Sequence, residues 1–252
     1  MSTSINKEDL ILMGGLPRSG NTLLSALLNQ NDSIFVTTTS PFVELLFRNS
    51  TLWDDEEYKP ETGIASVSKL KSVVLKAVQE SYHSGLTDRE YVIDKKRQWN
   101  KVFNIEMYIE TYGHKPKILC PVRNVTEILS SYNSLFKNNN ITLDIKKDLS
   151  GNAFLGSYLQ LREAYYSEYK DCFHFIEFDD LLQDTQNTLD KVYDYLGIER
   201  FTHDLNNIKA LEEEGDYGIA GLHTLKPKLE PNNSRKDTEE AFEKFVGWEF
   251  WR

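Results

Sequence analysis

Three short stretches hold residues whose types and spacing suit anion chemistry. Gly15-Leu16-Pro17-Arg18-Ser19-Gly20-Asn21-Thr22 follows the frame of a phosphate-binding loop, G-x-x-x-x-G-K-S/T, with Asn21 where the lysine usually stands. Glycines let backbone N–H groups approach an anion closely. The start of the following helix adds partial positive charge, and Thr22 adds a hydroxyl. A nucleoside triphosphatase uses the missing lysine on its β- and γ-phosphates. The loop's only cation is Arg18, so it reads as a holder for a phosphate-like anion rather than as an ATP- or GTP-hydrolysing site. The competing reading is a tight strand–helix turn carrying a surface arginine.

The second stretch is Arg123, which follows the apolar run ending Cys120-Pro121-Val122, with Ser131 and Tyr132 beginning eight residues later. If a helix begins near Asn124, Ser131 lies about two turns in and Arg123 at its start, so a cation and a hydroxyl can reach one phosphate from two sides. Arginines after strands are also commonly solvated ends or ion-pair partners. The third stretch is Asp94-Lys95-Lys96-Arg97, with Trp99 close behind. It reads either as an anion site or as a solvated charge run. Asp94 ends an apolar strand in the manner of a magnesium-holding aspartate, so a metal role is also open.

Elements that position these stretches are legible from hydrophobic periodicity. Short apolar runs over 10–13, 34–36, 91–93, 117–122 and 172–178 read as buried strands. Helical patterns cover 22–28, a stretch after Pro41, 65–82, 103–112, 126–136 and 154–169. A further helix, capped by Asp179 or Asp180, runs to Leu196 and stops at Gly197. Residues 53–63 and 212–231 read as loops, and 238–248 as a short terminal helix. Strands alternating with helices predict an α/β fold, a P-loop-type parallel sheet flanked by helices on both faces, as a single domain over 1–252. The loops after its strands line one edge, where ligands of such sheets bind.

Together these residues resemble the sulfotransferase family, which moves a sulfuryl group from 3′-phosphoadenosine 5′-phosphosulfate. Leu16-Pro17-Arg18-Ser19-Gly20-Asn21-Thr22-Leu23 is similar to that family's 5′-phosphosulfate loop, closest to the Pro-Arg-Ser-Gly-Thr-Thr form of tyrosylprotein sulfotransferases and their bacterial relatives. Arg123-Asn124 with Ser131-Tyr132 matches the 3′-phosphate motif. Phe178-Asp179-Asp180-Leu181-Leu182, followed by Tyr195-Leu196-Gly197, resembles a late Tyr-Glu-Asp-Leu…Phe-Leu-Gly segment. Gly221-Leu222-His223-Thr224-Leu225-Lys226-Pro227-Lys228 resembles the Lys-Pro stretch of the tyrosylprotein branch.

The resemblance implies a role for each matching residue. Pro17 and the backbone N–H groups of Arg18, Ser19, Gly20, Asn21 and Thr22 hold the 5′-phosphosulfate. Arg18 and Lys95 contact the bridging and sulfuryl oxygens. Arg123 and Ser131 bind the 3′-phosphate, with Lys226 a third candidate. Trp99 stands near the adenine or the acceptor, or else in the core. The acceptor, a small molecule or a peptide, attacks sulfur through a hydroxyl or amine, and no metal is implied. At the tyrosylprotein branch's glutamate position this chain has Thr39, in Thr37-Thr38-Thr39-Ser40-Pro41. Glu44 is the nearest downstream acid and the expected catalytic base, with Asp94 and His223 as other candidates. The rival readings are a P-loop nucleotide or metabolite kinase and a catalytically inactive nucleotide-binding protein.

Composition bounds the rest. The 252 residues carry 29 Lys plus Arg against 39 Asp plus Glu, a net charge of −10. That balance argues against nucleic acid or an anionic membrane as partner. Two cysteines, Cys120 and Cys172, in or beside apolar runs, read as buried thiols in a reducing, cytoplasmic setting. No apolar run reaches the ~20 residues of a membrane span, and the polar first ten residues do not read as a signal peptide.

Overall fold

A computed structural model describes residues 10–52, 67–144, 150–151, 154–209, 211, 219–223 and 225–229. The expected loop over 53–63 and the expected terminal helix over 238–248 lie outside them. In chain order the elements are β1 (Ile11–Met13), α1 (Asn21–Leu28), β2 (Ile34–Val36), α2 (Phe42–Leu52), α3 (Val67–Ser84), β3 (Tyr91–Lys95), α4 (Val102–Tyr112) and β4 (Ile118–Val122). They continue with α5 (Val125–Asn138), α6 (Leu155–Tyr166), β5 (Phe173–Glu177), α7 (Phe178–Gln183) and α8 (Thr185–Leu196). A 3-10 turn, Arg97–Asn100, follows β3.

The five strands form one sheet in the order β2-β3-β1-β4-β5, and every pairing is parallel. Central β1 is wholly buried because both neighbours and both faces cover it. Alternation along a strand sends successive side chains to opposite faces. Accordingly Leu12, Ile118 and Cys120 join one core cluster with residues of α2, α4, α5 and α6. Ile11, Met13, Ile93 and Leu119 join the other with residues of α1, α7 and α8. Because α1 and α5 lie on opposite faces, the chain leaves neighbouring strands β1 and β4 in opposite directions. The crevice between the ends of those strands is the topological switch point, where ligands of open α/β sheets bind. Loops carrying Arg18 and Arg123 open there.

Among the boundaries that differ from the periodicity, three show a local cause or bear on the site. The helix expected from Asp179 or Asp180 through Leu196 is two helices, and neither aspartate is its cap. Both sit in the first turn of α7, and the chain breaks at Asp184 (φ −135°, ψ 54°) before α8 begins. Asp184 accepts from the Asn187 amide at 2.7 Å, an example of a short polar side chain drawing the backbone out of the helix. Helix α6 stops at Tyr166 rather than running to Tyr169. Ser167 turns extended there, and its hydroxyl donates back to Ala164 and accepts from the Tyr169 N–H. Strand β3 continues through Asp94 to Lys95, pairing Lys95 with Met13. Gly197 ends α8 in a left-handed conformation, as the pattern implied.

Candidate active site

The loop between β1 and α1 is held from inside by its own side chains. Ser19 is fully buried, and its hydroxyl donates to the Leu16 carbonyl at 2.6 Å. The Asn21 amide donates to the same carbonyl at 2.7 Å and to Ser19 Oγ at 3.3 Å. Where a triphosphatase extends a lysine toward phosphate, this chain has an amide that closes the loop on itself. Helix α1 starts at Gly20 (φ 104°, ψ 9°) with no side-chain cap. The N–H groups of the first turn, with the helix dipole behind them, therefore form an anion-binding end. Gly20 is demanded twice. Its backbone is left-handed, and a Cβ there would lie 2.6 Å from Cδ2 of Phe178.

Arg18 also has a left-handed backbone, φ 62°, which is costly for a residue with a Cβ. The turn swings its side chain toward α5. Nε donates to Ser131 Oγ at 3.0 Å, and Nη1 donates to the Leu222 carbonyl. Arg123 Nη1 donates to the Arg18 carbonyl at 3.1 Å. Arg18, Arg123 and Ser131 thus converge at the switch point. Arg123 Nε also pairs with Glu127 Oε2 at 3.2 Å, and its guanidinium lies 4.2 Å from the centre of the Phe178 ring. Burial pulls the Arg123 pKa down, and Glu127 opposes that shift.

On the sulfuryl side of the expected site, Lys95 ends β3 and is buried. Its N–H donates to Thr37 Oγ1 at 2.8 Å, and its carbonyl accepts from the Ser40 N–H at 3.2 Å. The Ser40 hydroxyl in turn accepts from Phe42 N–H, in the first turn of α2. The start of α2 is therefore tied to the end of β3. Glu44, in that first turn, pairs with Lys96 through Oε1 at 3.3 Å, while its Oε2 is buried without a hydrogen-bond partner. Thr39 is exposed.

Asp94 is turned away from this edge. It is fully buried, accepts from Trp99 Nε1 at 2.8 Å and lies 3.7 Å from His83 Nε2. It braces the core beneath the 3-10 turn, between Trp99 and His83. Trp99 is likewise fully buried, which settles it as a core residue. His223 meets the loop rather than the acceptor side, with Nδ1 3.2 Å from Thr22 Oγ1. Lys226 is exposed on the same segment. Pro17 and Thr22 are half-buried at the loop rim.

Sequence reasoning singled out neither Glu127 nor Asn100, and it met Phe178 only inside a late motif. The four-residue spacing from Arg123 to Glu127 was a usable signal for an ion pair. No local pattern announces an aromatic ring under a guanidinium or an amide gripping a distant loop.

Comparison with known proteins agrees with this geometry. The model of the sulfotransferase family matches residues 10–203. The chain belongs to that family, whose members are transferases dependent on 3′-phosphoadenosine 5′-phosphosulfate. The sulfotransferase domain of the Synechococcus PCC 7002 olefin synthase superposes with a TM-score of 0.55 at 16% identity, covering 98% of each chain. The sulfotransferase domain of the curacin biosynthetic pathway gives 0.56 at 13% identity, covering 97% of this chain and 99% of that one. A sulfotransferase from Alicyclobacillus acidocaldarius gives 0.51 at 12% identity, with coverage of 96% and 93%. At such identities the likeness establishes a shared sulfotransferase fold. No curated protein sequence matches the chain. No helix among the described residues is long and apolar enough to cross a membrane.

Proposed function

We propose that this sulfotransferase-family chain moves a sulfuryl group from 3′-phosphoadenosine 5′-phosphosulfate to a hydroxyl or amine of a small-molecule or peptide acceptor. One observation carries the reading. The loop after β1 and the loop after β4 are joined through Arg18–Ser131 and Arg123–Arg18 contacts at the switch point, so two anion-binding ends stand side by side. A donor with a phosphate at one end and a phosphosulfate at the other needs that arrangement, and a nucleoside triphosphate does not. The Pro17-Arg18-Ser19-Gly20 loop supports a place in the tyrosylprotein-like and bacterial branch.

In this reading the acceptor oxygen or nitrogen attacks sulfur in line, and adenosine 3′,5′-bisphosphate leaves. Negative charge grows on the bridging oxygen, where the N–H groups at the start of α1 stabilise it. Arg123 and Ser131 take the 3′-phosphate. Arg18, drawn toward Ser131, sits between the two ends, which makes Lys95 the cation nearest the sulfuryl oxygens. Glu44 removes the acceptor proton. Its place in the first turn of α2, whose start is tied to the end of β3 at Lys95, supports that role. Asn21 contributes through its backbone, and Lys226 stands at the periphery.

Titration calorimetry tests the reading. Tight binding of adenosine 3′,5′-bisphosphate without magnesium, together with no binding of ATP, is expected. Magnesium-dependent ATP binding would overturn it in favour of a kinase. Bisphosphate binding with no transfer to any of a broad acceptor panel would favour an inactive nucleotide-binding protein.

A further inference from the structure

The start of the donor loop is held at three successive residues, two of them to the cationic turn after β3 and one to β4. Lys96 N–H donates to the Met13 carbonyl at 2.9 Å, and Gly14 N–H donates to Leu119 of β4 at 2.9 Å. The third link is a side chain. Asn100, fully buried at the end of the 3-10 turn, accepts from the Gly15 N–H through Oδ1 at 2.9 Å and donates from Nδ2 to the Gly15 carbonyl at 3.0 Å. One amide thereby holds both backbone groups of the first loop residue. It also explains Gly14, where a Cβ would lie 2.2 Å from Asn100 Oδ1.

The far side of the turn is anchored as well. Trp99 Nε1 is held by Asp94, and the Gln98 carbonyl accepts from the Asn104 amide at 2.6 Å. The turn therefore cannot follow the loop, and any change at residue 100 is passed to the loop. An amide is the side chain of this size that donates and accepts at once. A carboxylate only accepts, and an aliphatic group does neither.

We infer that Asn100 is a positioning residue, setting the donor loop against the turn that follows Lys95 so that the loop N–H groups meet the anion. For catalysis this rests on the donor reading above, but the clamp itself does not. A loop misplaced by about 1 Å loses on the order of a hundredfold in rate, and binding suffers with it.

Two variants test the inference. Asn100→Ala removes both hydrogen bonds, and adenosine 3′,5′-bisphosphate affinity is expected to fall roughly 10- to 100-fold at every pH. Asn100→Asp is the sharper probe. Burial favours the neutral acid, which reproduces both bonds, while the carboxylate faces the Gly15 carbonyl with no proton to give. Its affinity relative to wild type at the same pH is expected to stay within about threefold at pH 5 and to fall at least about tenfold by pH 8. Hydrogen exchange in the ligand-free protein separates the clamp from charge repulsion of the donor. Amides over residues 13–23 exchange faster than wild type in Asn100→Ala, and in Asn100→Asp only at the higher pH, while α8 is unchanged. If Asn100→Ala fails to fold, the Asn100→Asp profile still decides. Wild type that binds no bisphosphate overturns the donor reading, and exchange then judges the clamp alone. Loop exchange in Asn100→Asp matching wild type at both pH values overturns the clamp.

Discussion

Arg123→Ala removes more than a phosphate ligand. The Arg123 and Glu127 side chains are only 8% and 9% exposed, so their ion pair is buried, and the guanidinium also covers the Phe178 ring. Breaking a buried pair by deleting one partner costs ~3–5 kcal/mol, chiefly because the remaining charge stays desolvated. Loss of the cation–π contact adds about 1 kcal/mol. With relaxation toward solvent we expect Arg123→Ala to be destabilised by about 3 kcal/mol. Neutralising the remaining buried carboxylate in Arg123→Ala/Glu127→Gln is expected to recover about 2 kcal/mol of that.

Binding separates from stability in the same pair of variants. A charge-assisted bond to the 3′-phosphate is worth ~1.5–3 kcal/mol, or roughly 10- to 100-fold in affinity. Urea unfolding followed by circular dichroism gives the stabilities. Calorimetry with adenosine 3′,5′-bisphosphate and with adenosine 5′-monophosphate gives the discrimination. The double variant should be nearly as stable as wild type yet no longer prefer the bisphosphate. A double variant no more stable than the single one would refute the buried-pair argument. Wild-type discrimination in the double variant would refute the assignment of the 3′-phosphate to Arg123.

Gly20→Ala forces a side chain into a left-handed backbone, costing about 1–2 kcal/mol, and drives its Cβ against Phe178. We expect about 2–3 kcal/mol of destabilisation by urea titration and roughly tenfold weaker bisphosphate binding, since Phe178 supports Arg123; unchanged values on both counts would refute it. Glu44→Gln should lower turnover ~100-fold or more with bisphosphate affinity preserved, and a variant with normal turnover removes Glu44 as the base. His203 is buried against Tyr193, and burial lowers its pKa from 6.5 to about 4. The unfolded chain therefore binds a proton that the folded protein refuses between those values, so stability falls as pH drops from 6.5 toward 4, by about 3 kcal/mol in total. His174, shifted the same way by burial, adds to that loss. Chemical unfolding across this range should show a flatter profile in His203→Gln; an equal slope sinks the assignment.

Much of the fold was legible in short stretches of chain. Ile11-Leu12-Met13 and Ile118–Val122 are continuous apolar runs because both faces of a parallel sheet are covered. The glycine-bearing loop between β1 and α1 is likewise a local pattern, as is the spacing from Arg123, just before α5, to Ser131 within it. Such features depend on neighbours within a turn or two, so composition and periodicity reveal them. The −10 net charge described the solvated surface and left the two guanidiniums at the switch point invisible.

What each polar group does there was settled by partners far away in the chain. Arg18 turns to Ser131 and to the carbonyl of Leu222, which stand 113 and 204 residues along. Asp94 looked like a metal ligand until Trp99 and His83 closed over it, and Trp99 itself proved to be core. Asn100 carried no motif at all, because its role exists only where the turn after β3 meets the loop after β1. A residue type and its spacing state what a side chain is able to bond. Which atom it reaches depends on the packing of strands and helices brought together across the whole sheet.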